Sequence, residues 1–181
     1  MRGFIIVATL ALVAFSFACS RNKPPAPAQT SQSPASKSNA APEAPTSLPN
    51  TAFKAELSLA DPPKQLHAGQ KTTVRVKIKN ASNDMWWERG APTNTRPDNK
   101  YYVAAGDRWL KADGSLLTEM DGRIGIGKDL RPGEETEVPL LIMAPKDPGE
   151  YTLEIDLVQE QVTWFHDKGS PTAKTKVTVT K

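Results

Sequence analysis

The hydrophobic pattern divides the chain into three stretches. Phe4 to Phe17 is mainly apolar and uncharged. From Ser20 to about Asn50 large apolar residues all but vanish, and from Thr51 to Lys181 apolar and polar positions alternate. Helical periodicity is absent from the third stretch, and period-two alternation recurs. Phe53, Ala55, Leu57 and Leu59 alternate with polar residues until Asp61-Pro62-Pro63 breaks the run. After a turn at Ala68-Gly69, Val74, Val76 and Ile78 alternate with Arg75, Lys77 and Lys79. A segment from Tyr101 to Leu110 ends near Asp113-Gly114, a hairpin signal. Arg131-Pro132-Gly133 makes another turn, and Val138, Leu140 and Ile142 follow at strand spacing. Tyr151, Leu153, Ile155 and Leu157 give the clearest strand, with Glu154 and Asp156 on its other face, and Val177 and Val179 mark the last. About seven short strands between Pro/Gly turns predict an all-β fold, a single antiparallel immunoglobulin-like β-sandwich over residues 51–181.

Composition sharpens the first two stretches. The uncharged, mainly apolar 14-residue run Phe4 to Phe17 that follows Arg2 is too short to cross a bilayer comfortably and reads as an export signal over residues 1–18. The middle stretch, rich in Pro, Ala, Ser, Lys and Gln, buries too little surface to offset its ordering entropy. Residues 19–50 are therefore expected to form a disordered linker, a spacer with a reach of several tens of ångströms. The net charge is only +3, and its cations alternate along strands as on a solvated face. No dense basic run interleaved with aromatics is present, so no nucleic-acid partner is expected. Cys19 is the single cysteine, which excludes an internal disulfide and any multi-cysteine metal site.

Ser16-Phe17-Ala18-Cys19 resembles the lipobox of bacterial lipoproteins, in which the cysteine becomes the first mature residue and carries the lipid. That resemblance implies lipidation at Cys19 and a membrane partner reached through the acyl chains. Ser20, in place of the Asp that retains such proteins in the inner membrane, favours the outer membrane. Ser16 and Ala18 also satisfy the small-x-small rule of ordinary signal peptidase, which would leave a soluble exported protein with a free thiol. The position of the sole cysteine and the spacer behind it favour the lipid.

Within the domain, "AGQKTTVRVKIKNASNDMWW" and "RPGEETEVPLLIMAPKDPGEYTLEIDLVQEQVTWF" look like an Ig-like accessory module of the kind appended to bacterial glycosyltransferases. More distantly, the domain looks like the four-tryptophan domain of autophagy receptors. Gln159-Glu160 and Trp164-Phe165 are the distinctive pieces; the Pro-Gly turns are common chemistry. Such a resemblance implies a fold more firmly than a function.

Candidate chemistry is sparse. The two histidines, His67 and His166, stand outside any catalytic motif, and nucleophile-elbow, phosphate-loop and zinc-protease patterns are absent. Asp121, Glu154, Asp156 and Glu160 could in principle supply a glycosidase pair, but a small sandwich rarely builds the cleft this needs. Asp156, Glu160 and Asp167 read as surface acids, without the spacing of a calcium loop. No enzyme, cofactor or metal is expected.

The aromatics carry more. Trp109 is expected in the core. In Trp86-Trp87 and in Trp164-Phe165, adjacent rings on extended backbone must point to opposite faces, so each pair offers one member to the surface. With Arg108, and with Asp121 and Arg123 as further polar contributors, these four residues form the expected ligand-binding set, beside the polar loop Glu88 to Asn99. The expected role is a surface-anchored, non-enzymatic binding or accessory module for polysaccharide or an envelope protein. Alternatives are an assembly subunit offering an exposed hydrophobic edge strand and, further off, a periplasmic hydrolase.

Overall fold

A computed structural model describes residues 45–89 and 98–181, with the backbone alone for 119–121. Cys19, most of the linker and residues 90–97 of the polar loop lie outside the described residues. Among the described residues nine strands run in the order β1 (Ala55–Ala60), β2 (Gln65–His67), β3 (Lys71–Asn80), β4 (Val103–Lys111), β5 (Leu116–Gly125), β6 (Glu135–Met143), β7 (Gly149–Gln159), β8 (Thr163–Trp164) and β9 (Ala173–Thr180). No α-helix occurs among the described residues, only 3-10 turns at Asn50–Ala52 and His166–Lys168. The strands form two sheets, β1-β3-β6 and β2-β9-β7-β4-β5, with β8 paired to the end of β7. All these pairings are antiparallel except the short β2–β9 contact. The fold is an all-β sandwich, as the alternation predicts.

The alternating residues supply the core. Val74, Val76 and Ile78 of β3 and Val138, Leu140 and Ile142 of β6 are buried in one cluster with Leu153, Ile155 and Leu157 of β7 and Val177 and Val179 of β9. Trp109 joins them from β4, fully buried. On the other face of β3, Arg75 pairs with Asp61 at 2.6 Å and Lys79 with Glu56 at 2.9 Å. These contacts are exposed and contribute little each. Here the alternating cations are a solvated, acid-matched strand face.

In both aromatic pairs one ring turns inward and the other stays partly exposed; Trp164 ends β8, whereas Phe165 already has right-handed helical backbone at φ −68° and ψ −35°. Trp86 and Phe165 are each 0% exposed and meet edge-to-face with centroids 5.1 Å apart, while Phe53 packs on Phe165 at 5.0 Å. The indole Nε1 of Trp86 donates to the Ala52 carbonyl at 3.0 Å, and its backbone exchanges two hydrogen bonds with Leu130. Buried Asn80 shapes the approach, donating through Nδ2 to the Asp84 and Leu130 carbonyls and accepting from Ser82 through Oδ1. Trp87 and Trp164 remain partly exposed.

Three strands were not foreseen. β2 and β8 are too short to show a period. β5 reads Leu-Leu-Thr-Glu-Met-Asp-Gly-Arg-Ile-Gly, with no clean alternation, because its pairing with β4 is interrupted by register shifts. At the other end of the domain, Pro45 and Leu48 are buried, within the stretch read as spacer. Gln159, 0% exposed, holds them: its Oε1 accepts from Leu48 N at 3.0 Å, and its Nε2 donates to the Thr46 and Tyr101 carbonyls at 2.9 and 3.0 Å.

Phe165→Ala should therefore cost about 3–5 kcal/mol, because it empties a site bordered by Trp86 and Phe53. Trp87→Ala should cost about 1 kcal/mol or less. Urea unfolding of the two variants checks the ranking; equal losses would place the aromatic core elsewhere.

Candidate functional site on the outer face of the larger sheet

Alternation along β7 puts Leu153, Ile155 and Leu157 in the core and Glu154, Asp156 and Val158 on the opposite face. That face is not solvated: Glu154, Asp156 and Val158 are 3%, 1% and 6% exposed. The reading of Asp156 as a surface acid is thus corrected. A carboxylate on a central strand, under a covering segment, has to find partners within the protein.

Glu154 finds three. Arg108 Nε donates to it at 2.8 Å from the neighbouring β4, Lys174 Nζ at 3.1 Å from β9, and Thr172 Oγ1 at 2.5 Å. Burial pushes its carboxyl up, but the hydrogen bonds from Arg108, Thr172 and Lys174 outweigh burial and hold it below the usual glutamate range. For Asp156 the balance falls the other way. Burial raises its carboxyl above the aspartate range, against the hydrogen bonds of His166 and of the Leu157 amide. His166 Nδ1 lies 2.6 Å from Asp156 Oδ2, and the His166 amide donates to the same oxygen at 3.3 Å. The other ring nitrogen, Nε2, lies 3.2 Å from Arg108 Nη1 and 3.1 Å from Asp167 Oδ1.

This clasp fixes the segment after β8. Phe165 turns inward, and Trp164, one residue earlier, lies back across the sheet. Its register partner is Val158, and its six-membered ring extends over Gly106 of β4. A Cβ on Gly106 would stand 2.9 Å from the ring, so the glycine inside this strand leaves room for the indole. The Arg123 guanidinium of β5 sits 4.9 Å from the Trp164 ring centre and donates to Glu160 at 2.7 Å. Arg123 and Glu160 also line a cleft of about 320 Å³, bounded further by Arg89, Asp98, Asn99 and Tyr102. Two of those, Asp98 and Asn99, belong to the polar loop.

The expected set is therefore divided. Trp164 and Arg123 come together, and of the two Arg123 lines the cleft. Arg108 lies on the same face but is committed to Glu154 and His166. Trp86 and Phe165 are core residues, closed to any ligand because the Ala52 carbonyl, Leu130 and Phe53 surround them. Trp87 is partly exposed, and its carbonyl accepts from Val103 N. The Asp121 side chain lies outside the described atoms. His166 and Gly106 were not picked out in advance. A glycine inside a strand was the available signal for the second; nothing local marks the first. A second cleft, of about 310 Å³, lies over Glu56, Lys77, Lys79 and Glu135, but offers no aromatic ring.

No sequence-family model matches the chain, and no curated protein matches it in sequence. Among solved structures, it is similar to the CARDB domain of a Pyrococcus furiosus protein, with 13% identity and a TM-score of 0.41 over 70% of this chain and 94% of that one. It is also similar to part of a Listeria innocua beta-glucosidase solved with glucose, at 15% identity and a TM-score of 0.40, spanning 71% of this chain and 16% of the enzyme. A sporulation control protein of Bacillus subtilis gives 14% identity and a TM-score of 0.37, over 71% of this chain and 49% of that one. At these values the likenesses assign neither ligand nor activity.

The clasp makes an acid-linked prediction. A carboxyl held low contributes stability that is present above its unfolded pKa and lost as pH falls through its folded one. Glu154→Gln should cost about 2 kcal/mol near neutral pH. The gap to wild type should narrow as pH falls below the usual glutamate range, where the wild-type carboxylate is itself being protonated. Urea unfolding across that range measures it; a gap independent of pH would assign the loss to packing.

Proposed function

We propose that this chain is a tethered, non-catalytic binding module that recognises polysaccharide at the Trp164 shelf and its adjoining cleft. The observation that carries the reading is Trp164: a partly exposed indole packed over Gly106 and against Arg123, which itself lines a polar cleft. An aromatic face prepositioned this way can stack on the C–H face of a sugar without losing further side-chain freedom. Asn99, Asp98 and Glu160 add acceptors and donors within reach of hydroxyls.

The acids support binding over hydrolysis. Glu154 and Asp156 are engaged by Arg108, Lys174, Thr172 and His166, and Glu160 by Arg123. A glycosidase pair needs two carboxyls open to a common substrate. The assembly reading would draw on Leu141, 55% exposed on β6. Its carbonyl already lies against Gly122 of β5, so that edge is partly occupied.

Trp164→Ala in the full chain should weaken binding to a responsive glycan at least about tenfold, since an aromatic anchor carries a large share of such a contact. Trp87→Ala should leave it nearly unchanged. Isothermal titration or affinity electrophoresis against a polysaccharide panel checks this, and retained binding in folded Trp164→Ala would remove the shelf from the site.

Anchoring is the second half of the proposal. The lipid on Cys19 fixes one end of the Pro-rich spacer, and the domain works at the spacer's reach from the membrane. Cys19→Ala should move the protein from the membrane fraction to the soluble exported fraction; unchanged membrane association would eliminate the lipid.

A further inference from the structure

Ala105 and Trp109 of β4 belong to the core, which puts Gly106 on the outer face of the sheet with Arg108. In register it stands opposite Asp156 of β7 on one side and Arg123 of β5 on the other. An added Cβ would lie 2.9 Å from Trp164 Cη2, 3.3 Å from its Cζ3 and 3.5 Å from Arg123 Nε. The first two atoms are the far corner of the indole, and the third belongs to the guanidinium packed 4.9 Å from the same ring. One missing side chain thus leaves the space that both residues use. The backbone does not ask for it: the φ of Gly106 lies outside the left-handed region, so alanine could adopt the same conformation. Glycine inside a strand also costs more conformational entropy than alanine.

We propose that Gly106 is the positioning residue of this site, a notch that sets how close the Trp164 indole and the Arg123 guanidinium lie to the sheet. As a statement about ligand binding this rests on the polysaccharide reading above; as a statement about the indole it does not. Trp164 has little freedom to answer a Cβ by moving its backbone. Its register partner is Val158, and the next residue, Phe165, is 0% exposed in the core. The displacement falls on the side-chain torsions, which turn the ring away from the sheet or push Arg123 aside. Arg123 donates to Glu160 at 2.7 Å, so a shift of the ring is passed to the cleft wall. Without the indole above it, the same substitution only removes freedom from the unfolded chain and is stabilising. The effect of Gly106→Ala therefore changes sign with the size of the ring at position 164.

The test is a double-mutant cycle of Gly106→Ala and Trp164→Phe in the purified full chain in mild detergent, since Phe lacks the outer ring of the indole. With fluorotryptophan incorporated, Trp164→Phe identifies one fluorine NMR line by its loss. Gly106→Ala should move that line and leave those of the core residues Trp86 and Trp109 in place. In urea, Gly106→Ala should lower the unfolding midpoint with Trp164 present, and leave it unchanged or raised with Trp164→Phe. Folding of Gly106→Ala in the Trp164→Phe background alone would count for the assignment. Binding is measured against unsubstituted glucan, mannan and xylan. Gly106→Ala should weaken it at least about fivefold with Trp164 and less than about twofold with Trp164→Phe. Equal effects in the two backgrounds, or an unmoved Trp164 line with unchanged affinity, would overturn the assignment and leave the polysaccharide reading standing. Absence of binding to every polymer would overturn that reading, and the fluorine line and urea midpoints would still decide whether Gly106 positions the indole.

Discussion

The organising constraint in this domain is a central strand that is buried on both faces from Leu153 to Gln159. β7 lies between β9 and β4, gives Leu153, Ile155 and Leu157 to the core, and has its other side covered as well. Two carboxylates stand on that covered side, and a buried ionised group without partners would cost several kcal/mol. Arg108 and Lys174 reach Glu154 from the flanking strands. Asp156 is reached by His166, which comes from beyond the hairpin after β7. Once His166 is seated on Asp156, the next two residues back along the chain have no choice. Phe165 must enter the sandwich between Phe53 and Trp86, and Trp164 must lie outside it, over Gly106. One interaction thereby closes the end of the core and sets the only aromatic shelf seen on this face among the described residues.

Several elements of this fold are legible without coordinates because they depend on local pattern alone. β3, β6, β7 and β9 each alternate cleanly, Asp113-Gly114 turns the chain with Gly114 at φ 82°, and Trp109 goes inward as its strand context implies. β5 hides because its register shifts break the alternation. The aromatic pairs show the boundary of local reasoning well. Extended backbone requires Trp86 and Trp87 to diverge, but the choice between them rests on Ala52 and Leu130, 34 and 44 positions away in sequence.

The site was less legible than the fold, for a related reason. Polar residues on alternate positions of a strand look the same whether they face water or a covering segment. Glu154 and Asp156 therefore read as a solvent face, and only the segment 163–168 folding back reveals otherwise. Gly106 likewise appears as a weak point in a strand until the Trp164 ring is seen above it. Trp164 and Phe165 could be singled out as a pair with one outward member. The assignment of roles within Gln159-Glu160 and Trp164-Phe165 needed the structure: Gln159 clasps the incoming chain, Glu160 engages Arg123, Trp164 forms the shelf and Phe165 fills the core.

That concentration of roles at one strand end has a physical consequence. The chain entering from the linker is tied to Gln159 through the Leu48 amide and the Thr46 carbonyl, and Gln159 also binds the Tyr101 carbonyl. The next residue, Glu160, carries the ion pair at the cleft, and its amide donates to the Tyr102 carbonyl. Entry of the chain and the candidate site thus share one hydrogen-bonded corner. A buried, fully hydrogen-bonded glutamine is a rigid joint, since opening it would leave amide groups unsatisfied in the interior.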